Sequence, residues 1–431
     1  MTDDKPTITK APDRRRFLKS GLAAAGGVAA FGLAGRAGAV EAGGNSENQA
    51  PNVADWSRYL GDGVDAAPYG MPSPYESGVV RRNVEWLTAT PESSVSFTPL
   101  HQLHGIITPN GLCFERHHGG AAEIDPADHQ LMIHGLVDKP LMFTPEDIFR
   151  FPPESRFYFL ECAANSGMEW HGAQLNSCQF TFGMVHCVHY TGVPLKTLLA
   201  ACGVRPKAKW LLAEGGDASG MTRSIPMHKA LDDCMVVYAM NGEKLRPEQG
   251  YPLRLVVPGW EGNMWIKWLR RIEVGDKPWY HREETSKYTD LMDDGTARSF
   301  TWVMDAKSAI TSHCPENPIR RKGQQVISGV AWSGRGKISR VDVTADGGRN
   351  WHRARLDEPV MSKCLTRFYL DWEWSGDEAL LQSRAIDETG YVQPTIKALR
   401  KVRGAESIYH NNSMRTWRVH NDGAIENVEI S

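Results

Sequence analysis

Apolar positions along the chain change their spacing near residue 294, and the two patterns predict two kinds of domain. Between about residues 99 and 293, short apolar runs typical of strands alternate with segments of helical spacing. From residue 294 onward, short alternating runs are separated by turn residues. We therefore expect a mixed α+β domain at 99–293 and a β-sandwich of immunoglobulin-like type at 294–431.

The first region contains both strand and helix signals. Strands are predicted by the apolar runs at 131–137, 235–240, 253–257 and 272–274. A helix is predicted where Leu195, Leu198, Leu199 and Cys202 recur at i, i+3, i+4 and i+7, and Gly203 ends it. This spacing makes Cys202 a core residue. Thr144 is expected to cap a second, short helix.

The pattern of the second region predicts strands joined by turns. The predicted strands lie at 323–333, 338–344, 351–356, 368–374 and 381–386. Asp346-Gly347-Gly348 predicts a hairpin turn between two of them.

The first 39 residues are interpreted as a twin-arginine signal peptide. Arg14-Arg15-Arg16-Phe17-Leu18-Lys19 precedes a mildly apolar stretch and a small-residue cleavage site. A membrane anchor is disfavoured because the stretch is short, glycine-rich and interrupted at Arg36. The twin-arginine route exports folded proteins, so we expect a periplasmic protein whose cofactor is inserted before export. Residues 40–98, rich in Pro, Gly and Ser, are predicted to be an extended arm.

Charge and composition exclude several classes of protein. Removing residues 1–39 leaves 49 − 7 = 42 basic and 51 − 3 = 48 acidic residues, a net charge of −6. Such a chain is not expected to bind nucleic acid by charge, and no further segment is long and apolar enough to span a bilayer.

Eight cysteines are scattered through the chain without a Cys-x-x-Cys pair. Their spacing argues against a zinc ribbon or an iron–sulfur cluster, and no Cys-x-x-Cys-His motif is present to attach haem. The sequence does not show which of the cysteines, if any, form disulfides. Cys162 stands out because the apolar run 157–160 leads into it and Asn165-Ser166-Gly167 follows, which predicts a buried strand that delivers a thiol to a loop. A small core residue is the alternative.

A second candidate site precedes this strand. Arg116, His117 and His118 stand beside Gly119 and Gly120. Arginine offers a fixed fork of donors and glycine allows close backbone approach, so the segment suits an anion, although a solvated turn fits equally well.

Six segments in order carry a resemblance to a known family. They are Phe-x-Arg-x-His at 114–118, Glu-Cys-Ala-Ala-Asn at 161–165, Thr-Gly-Val-Pro-Leu at 191–195, Met-Asn-Gly-Glu at 240–243, Gly-Tyr-Pro-Leu-Arg at 250–254 with Val-Pro-Gly at 257–259, and Lys-Trp-Leu at 267–269. Together they resemble the sulfite oxidase family of molybdenum enzymes over about residues 110–420. Within the family, the run 160–170 and the twin-arginine leader are most similar to molybdenum subunits of sulfane dehydrogenases, also called sulfite dehydrogenases, of the Sox thiosulfate-oxidising system.

The resemblance implies a molybdenum–molybdopterin cofactor, with Cys162 as the thiolate ligand of the metal. The positions that it assigns to cofactor binding are Phe114, Glu115, Arg116, His117, His118, Cys162, Asp217, Gln249, Arg254, Trp265, Ile266 and Lys267. Gln249 stands where the family usually has a histidine, which retains a hydrogen-bonding group but removes a titratable one.

The resemblance also assigns catalytic roles. Cys162, Arg116 and Tyr288 match active-site positions: Arg116 would attract an anionic substrate, and Tyr288 would donate a hydrogen bond near the reacting oxygen. From the residues alone, Tyr288 could equally be a surface tyrosine. Trp170 matches a pocket tryptophan, with a buried structural aromatic as the preferred alternative.

Substrate and partners follow from the resemblance and its departures. Sulfite oxidases usually have two arginines where this chain has Ser166 and Gly167, so we expect sulfane sulfur on a carrier protein rather than free sulfite. The resemblance implies that electrons pass to a c-type cytochrome subunit. It also implies that the second domain mediates the assembly of a homodimer or heterotetramer. The first alternative function is that of a sulfite:cytochrome c oxidoreductase, and methionine-sulfoxide reduction is a more distant enzymatic alternative. The non-enzyme alternative is an inactive Sox scaffold. A cysteine hydrolase is disfavoured because nothing places a histidine against Cys162.

Overall fold

The computed structural model describes residues 70–84 and 87–430. The described residues from Pro72 onward belong to one compact unit. The predicted signal peptide and residues 40–69 of the predicted arm lie outside the described residues. Among the residues that are described, no helix is long and apolar enough to cross a membrane.

The first part of the fold combines short helices with strands. Its strands are β1 (Arg82–Asn83), β2 (Ser96–Phe97), β3 (Leu131–Gly135), β4 (Leu141–Phe143), β5 (Glu154–Glu161), β6 (Val185–Pro194), β7 (Trp210–Gly215), β8 (Thr222–Pro226), β9 (Met235–Met240), β10 (Glu243–Lys244), β11 (Arg254–Val256), β12 (Leu269–Gly275), β13 (Asp290–Leu291) and β14 (Ala297–Arg298). Its helices are α1 (Pro145–Phe149), α2 (Cys178–Phe182), α3 (Leu195–Cys202), α4 (Met227–Asp232) and α5 (Arg282–Thr285).

Two five-stranded sheets organise these elements. One has the order β10-β9-β6-β5, with β11 also paired to β9. The other has the order β4-β3-β12-β7-β8, in which β12 runs parallel to β3 and antiparallel to β7. The mixed α+β expectation is confirmed.

Local sequence explains the helix ends. In α1, the Thr144 side chain accepts from the Asp147 backbone N–H, and the Asp147 side chain accepts from that of Thr144, which forms a capping box. In α3, the four predicted apolar positions are all buried. Gly203 ends α3 in the left-handed region at φ +71°, a conformation that glycine adopts without steric cost.

The second part is a sandwich of two antiparallel sheets. Its elements are β15 (Lys307–Ile310), β16 (Gly323–Trp332), β17 (Ile338–Thr344), β18 (His352–Arg353), β19 (Arg355–Leu356), β20 (Thr366–Trp374), β21 (Ala379–Asp387), α6 (Ile396–Arg403), β22 (Thr416–Val419) and β23 (Ile425–Val428). The sheets have the orders β15-β16-β20-β19 and β18-β17-β21-β22-β23. The predicted immunoglobulin-like sandwich is confirmed.

One predicted strand of the sandwich is wrong in detail. Residues 351–356 form two short strands, of which β18 pairs with β17 and β19 pairs with β20 in the opposite sheet. Between them, buried Ala354 donates its N–H to Val341. The chain therefore crosses from one sheet to the other, a change that an apolar pattern cannot signal. The turn at Asp346-Gly347-Gly348 joins β17 and β18, with both glycines at positive φ.

Strand β5 lies between two hydrophobic clusters. Leu160 belongs to the cluster within the first part of the fold, whereas Phe159 belongs to the cluster that fills the sandwich. Successive side chains of a strand point to opposite faces, so β5 is packed on both sides. Its carboxyl end, where Cys162 follows, is held by both parts of the molecule.

Candidate active site

Cys162 lies on a tight turn directly after β5. Its backbone N–H donates to Met184 at 2.9 Å, and its carbonyl accepts from Asn165 at 3.0 Å. The side chain is almost completely buried, yet it lines a cavity. Burial raises the pKa of the Cys162 thiol, while a backbone hydrogen bond from Ala164 and the charge of Arg116 act in the opposite direction.

The cavity encloses about 700 Å³ of space between the protein atoms, part of it open to solvent. The sequence-predicted residues that line it are Phe114, Glu115, Arg116, His117, His118, Cys162, Asp217, Gln249, Arg254, Trp265, Ile266, Lys267 and Tyr288. The fold thus brings the whole predicted set to one place. The individual roles stay predictions.

Two cations, buried Arg254 and half-buried Lys267, line the cavity without a carboxylate partner among the described residues. Arg254 donates to the backbone oxygen and to Oε1 of Gln249, both at 3.1 Å. Lys267 Nζ lies 3.1 Å from the carbonyl oxygens of Arg116 and Glu248. In the described part of the chain, neither cation has an acidic group within 4.0 Å. Burial lowers the pKa of both groups, so the site gains free energy from an anionic occupant.

Three buried polar atoms of residues that line the cavity have no hydrogen-bond partner in the part of the chain that the structure describes. They are Arg254 Nε, His186 Nδ1 and Asn263 Oδ1. Buried polar atoms are almost always paired in folded proteins. These atoms therefore offer donor and acceptor positions to a polar ligand.

Tyr288 and His118 form a hydrogen-bonded pair at the cavity wall. The Tyr288 hydroxyl lies 2.8 Å from His118 Nε2. Burial, followed by the charges of Arg116 and Lys267, lowers the pKa of His118 to about 4. Burial also raises the pKa of Tyr288. At neutral pH, a neutral imidazole thus shares one hydrogen bond with a protonated phenol, and the tautomer decides whether His118 Nε2 accepts from the hydroxyl or donates to its oxygen.

Arg116 is held by main-chain oxygens. Its Nη1 donates to the carbonyl oxygen of Ser93 at 2.9 Å and also to that of His117. Within the described structure, the guanidinium therefore keeps its position without a carboxylate that would neutralise it.

Trp170 does not line the cavity. It packs with Ile396 and Leu399, and its Nε1 donates to the Tyr409 carbonyl oxygen at 3.2 Å. The preferred interpretation from sequence, a buried structural aromatic, agrees with these contacts.

Ser166 and Gly167 also face away from the cavity. Ser166 is buried, and its hydroxyl donates to Thr181 at 2.7 Å. A Cβ atom on Gly167 would lie 2.5 Å from the Ile408 carbonyl oxygen, so a larger side chain requires the 408 segment to move. Neither residue is among those that line the cavity, so neither sets its charge directly.

The sequence alone did not point to several residues of the site. His186, Met221 and Asn263 line the cavity beside the predicted set. His186 alternates with apolar residues along β6, where a histidine inside a buried strand is unusual enough to have served as a signal. Asn263 lies two residues before Trp265, which was predicted to bind the cofactor.

A buried ion pair from the sandwich fixes the turn that bears Cys162. Lys307 Nζ lies 3.0 Å from Glu161 Oε1, Trp332 Nε1 donates to Glu161 Oε2 at 2.7 Å, and Asn165 Nδ2 donates to Glu161 Oε1 at 2.9 Å. Lys307 also donates to the Asn165 carbonyl oxygen at 3.1 Å. We call Glu161, Asn165, Lys307 and Trp332 the Glu161 clamp. It ties both ends of the turn to the second part of the molecule.

Comparison with known proteins gives the same assignment over both parts of the chain. The family described as "Oxidoreductase molybdopterin binding domain" matches residues 118–283, and "Mo-co oxidoreductase dimerisation domain" matches residues 298–417. The crystal structure of the sulfane dehydrogenase SoxCD from Paracoccus pantotrophus superposes with a TM-score of 0.87. The sequences are 60% identical, and the match covers 88% of this chain and 98% of that chain. This chain belongs to the sulfite oxidase family of molybdopterin oxidoreductases.

More distant members of the family are plant nitrate reductases. The NADH nitrate reductase of Solanum lycopersicum is 32% identical over 339 residues, 69% of this chain and 37% of that protein. NADH nitrate reductase 1 of Arabidopsis thaliana is 31% identical over 359 residues, 73% of this chain and 39% of that protein. The chain thus spans less than two fifths of the length of these relatives.

The cavity fits the molybdopterin expected for the family. Buried Arg254 and half-buried Lys267 are cations suited to its phosphate, and the unpaired atoms of His186 and Asn263 suit a heterocycle that both donates and accepts hydrogen bonds. Cys162 would supply a soft thiolate ligand for molybdenum. When bound, the cofactor contributes a metal centre that exchanges two electrons and an oxygen atom.

Proposed function

We propose that this protein oxidises sulfane sulfur held on a cysteine of a carrier protein, with water as the oxygen source and a c-type cytochrome as the electron acceptor. One observation carries the proposal: the 60% identity to a sulfane dehydrogenase over 98% of that chain. The cavity supports it, because Cys162, Arg116 and the cations Arg254 and Lys267 line one space.

The protein residues would divide the work by position. Arg254 and Lys267 bind the phosphate of the cofactor, and Cys162 holds the metal. Arg116, free of a carboxylate partner, attracts the anionic sulfur group. Tyr288 orients an oxygen atom by donating its single hydroxyl hydrogen, while neutral His118 donates from Nε2 to the phenol oxygen and keeps it in place.

Partners and location belong to the same proposal. The segment 298–417 matches a dimerisation domain, which supports assembly of two copies or of a heterotetramer with the cytochrome. The twin-arginine signature at Arg14–Lys19 supports export to the periplasm. The chain has no Cys-x-x-Cys-His motif, and a separate haem protein as electron acceptor is part of the proposal.

A substrate comparison tests the proposal. The purified holoenzyme is assayed with cytochrome c as acceptor, once with the carrier protein loaded with a cysteine persulfide and once with free sulfite. We expect faster turnover with the loaded carrier. Fast oxidation of free sulfite without any gain from the carrier would instead make the protein a sulfite:cytochrome c oxidoreductase.

Cys162→Ser is the control for both substrates. We expect the variant to fold and to lose more activity than the roughly 10- to 100-fold that changes in a second coordination shell typically cost. Full activity in this variant would reject the assignment of the metal ligand. Native protein that contains no molybdenum would support the inactive scaffold.

A further inference from the structure

A row of buried titratable groups leads away from the active site between Glu261 and Asp305. His410 lies between the two carboxylates: its Nε2 is 3.0 Å from Asp305 Oδ2, and its Nδ1 is 3.7 Å from Glu261 Oε1. The His410 ring and Glu261 are almost completely buried. Nδ1 has no hydrogen-bond partner within the described structure.

The inner end of this row contacts the cavity. Asn263 lines the cavity, and its Nδ2 donates to Glu261 Oε2 at 3.0 Å. Its Oδ1 has no protein partner, so it can accept from water in the cavity. The His410 backbone N–H donates to the Ala163 carbonyl oxygen at 2.7 Å, beside the residue assigned to the metal.

The outer end reaches solvent. Asp305 Oδ1 pairs with Arg335 Nη2 at 2.7 Å, and the Arg335 side chain is 40% exposed. Asp305 therefore lies close to bulk water, into which it can release a proton.

Charges from several elements surround His410. Glu261 and Asp305 face its two ring nitrogens, and Arg403 of α6 lies 3.9 Å from Asp305 Oδ2 and 3.6 Å from Asp290. Burial and Arg403 act to lower the pKa of His410, but Asp305 and Glu261 outweigh them and raise it. The imidazole can thus hold a proton at this depth, and each ring nitrogen faces a carboxylate that can exchange one.

We propose that Glu261, His410 and Asp305 form the path by which protons leave the active site. The proposal rests on the proposed function, because oxidation with water as the oxygen source produces the protons. Each step joins one water oxygen to sulfur and releases two protons and two electrons. The electrons go to the haem acceptor. A cavity water held by Asn263 gives its proton to the Glu261 carboxylate, and Glu261 passes it to His410 Nδ1. His410 Nε2 gives its own proton to Asp305, which releases it to solvent beside Arg335.

The test separates proton release from sulfur chemistry. Holoenzyme is first reduced with a chemical reductant and then mixed with ferricyanide in weakly buffered solution. A pH-indicator dye reports the rate of proton release. The absorbance of the metal centre reports the rate of its oxidation. Ferricyanide takes the electrons, and the protons held by the reduced site leave. We expect His410→Gln to slow proton release at least about tenfold. We also expect a larger slowing in D₂O than for wild type.

Two further variants keep the test decisive. Asp305→Asn retains a hydrogen-bonding side chain beside His410 but cannot accept a proton, and it should give the same slowing. His313→Gln changes another buried histidine of the sandwich, whose Nε2 lies 3.4 Å from Gln325 Oε1, and it should behave as wild type. Molybdenum content and thermal melting of each variant show whether the holoenzyme is intact.

Proton release within about twofold of wild type in both His410→Gln and Asp305→Asn would overturn the path. If one of these two variants contains no molybdenum, the proton-release rate of the other variant tests the path. The test needs no sulfur substrate. A wild type that fails with both sulfur substrates but shows the expected dye kinetics would therefore refute the proposed function and support the path.

Discussion

Arg254 shows how one buried charge prepares a site for a cofactor. Its guanidinium is buried, contacts Gln249 and has an unpaired Nε on the cavity lining. A buried charge without a counter-ion costs free energy, and a bound phosphate recovers that cost. The residue therefore contributes to ligand affinity at the expense of the stability of the cofactor-free protein.

Arg254→Gln should separate these two contributions. Glutamine keeps an N–H donor near Gln249 but removes the charge, so the cofactor-free variant should lose no more than about 1 kcal/mol of unfolding free energy. Its molybdenum content after expression should fall severalfold. Metal analysis and urea denaturation of the cofactor-free protein measure the two effects.

Arg367→Met provides the matched control for Arg254. Arg367 is also buried, but it lies in the sandwich and donates to the carbonyl oxygens of Leu103 and Gly105, each at 2.6 Å. Its loss should lower stability and leave the molybdenum content unchanged. If Arg254→Gln retained wild-type molybdenum, the phosphate-binding role would be wrong.

Strand β5 and the turn after it depend on the Glu161 clamp. Glu161 and Lys307 are both fully buried, and they come from different parts of the fold. In such a pair the desolvation of two charges offsets most of the attraction. Removing only one partner is costly because the other charge remains buried without compensation.

Lys307→Met should therefore lower the unfolding free energy of the cofactor-free protein by about 3 to 5 kcal/mol. The double variant Lys307→Met with Glu161→Gln should recover part of this loss, because no buried charge then remains. Urea denaturation of the wild type, both single variants and the double variant gives the coupling energy. Additive losses would show that the two residues stabilise the protein independently.

Across the molecule, buried histidines make stability depend on pH. Burial lowers the pKa of His101, His117, His118, His129, His186 and His313 below the ordinary 6.5. The unfolded chain therefore binds more protons than the folded one below pH 6.5, and stability falls with decreasing pH. For His118, the window extends down to its folded pKa of about 4. His410 acts in the opposite direction, since its pKa is raised.

We expect the urea midpoint of the cofactor-free protein to fall steadily as the pH is lowered from about 7 to about 5. His129→Gln should reduce this dependence, because glutamine can still donate to the Leu269 carbonyl oxygen that His129 Nε2 approaches at 3.0 Å, but it does not titrate. A midpoint that stays constant or rises over this interval would contradict the assignment of these buried histidines.

Sequence by itself determined the features that depend on near neighbours in the chain. The spacing of Leu195, Leu198, Leu199 and Cys202 predicted α3 correctly because a helix is a local structure. The apolar run before Cys162 predicted β5 for the same reason. The ordered motifs identified the family and the residues that line the cavity. No single motif shows that these residues lie close together in the fold.

Tertiary structure alone decided which distant side chains act together. Lys307 reaches Glu161 across 146 positions of sequence, and His410 reaches Asp305 across 105. The break of 351–356 into β18 and β19 likewise follows from the crossing between two sheets. Apolar periodicity reports which face of an element is buried, but polar residues pair according to how whole sheets pack. The clamp on the Cys162 turn and the path through His410 therefore became visible only in the folded chain.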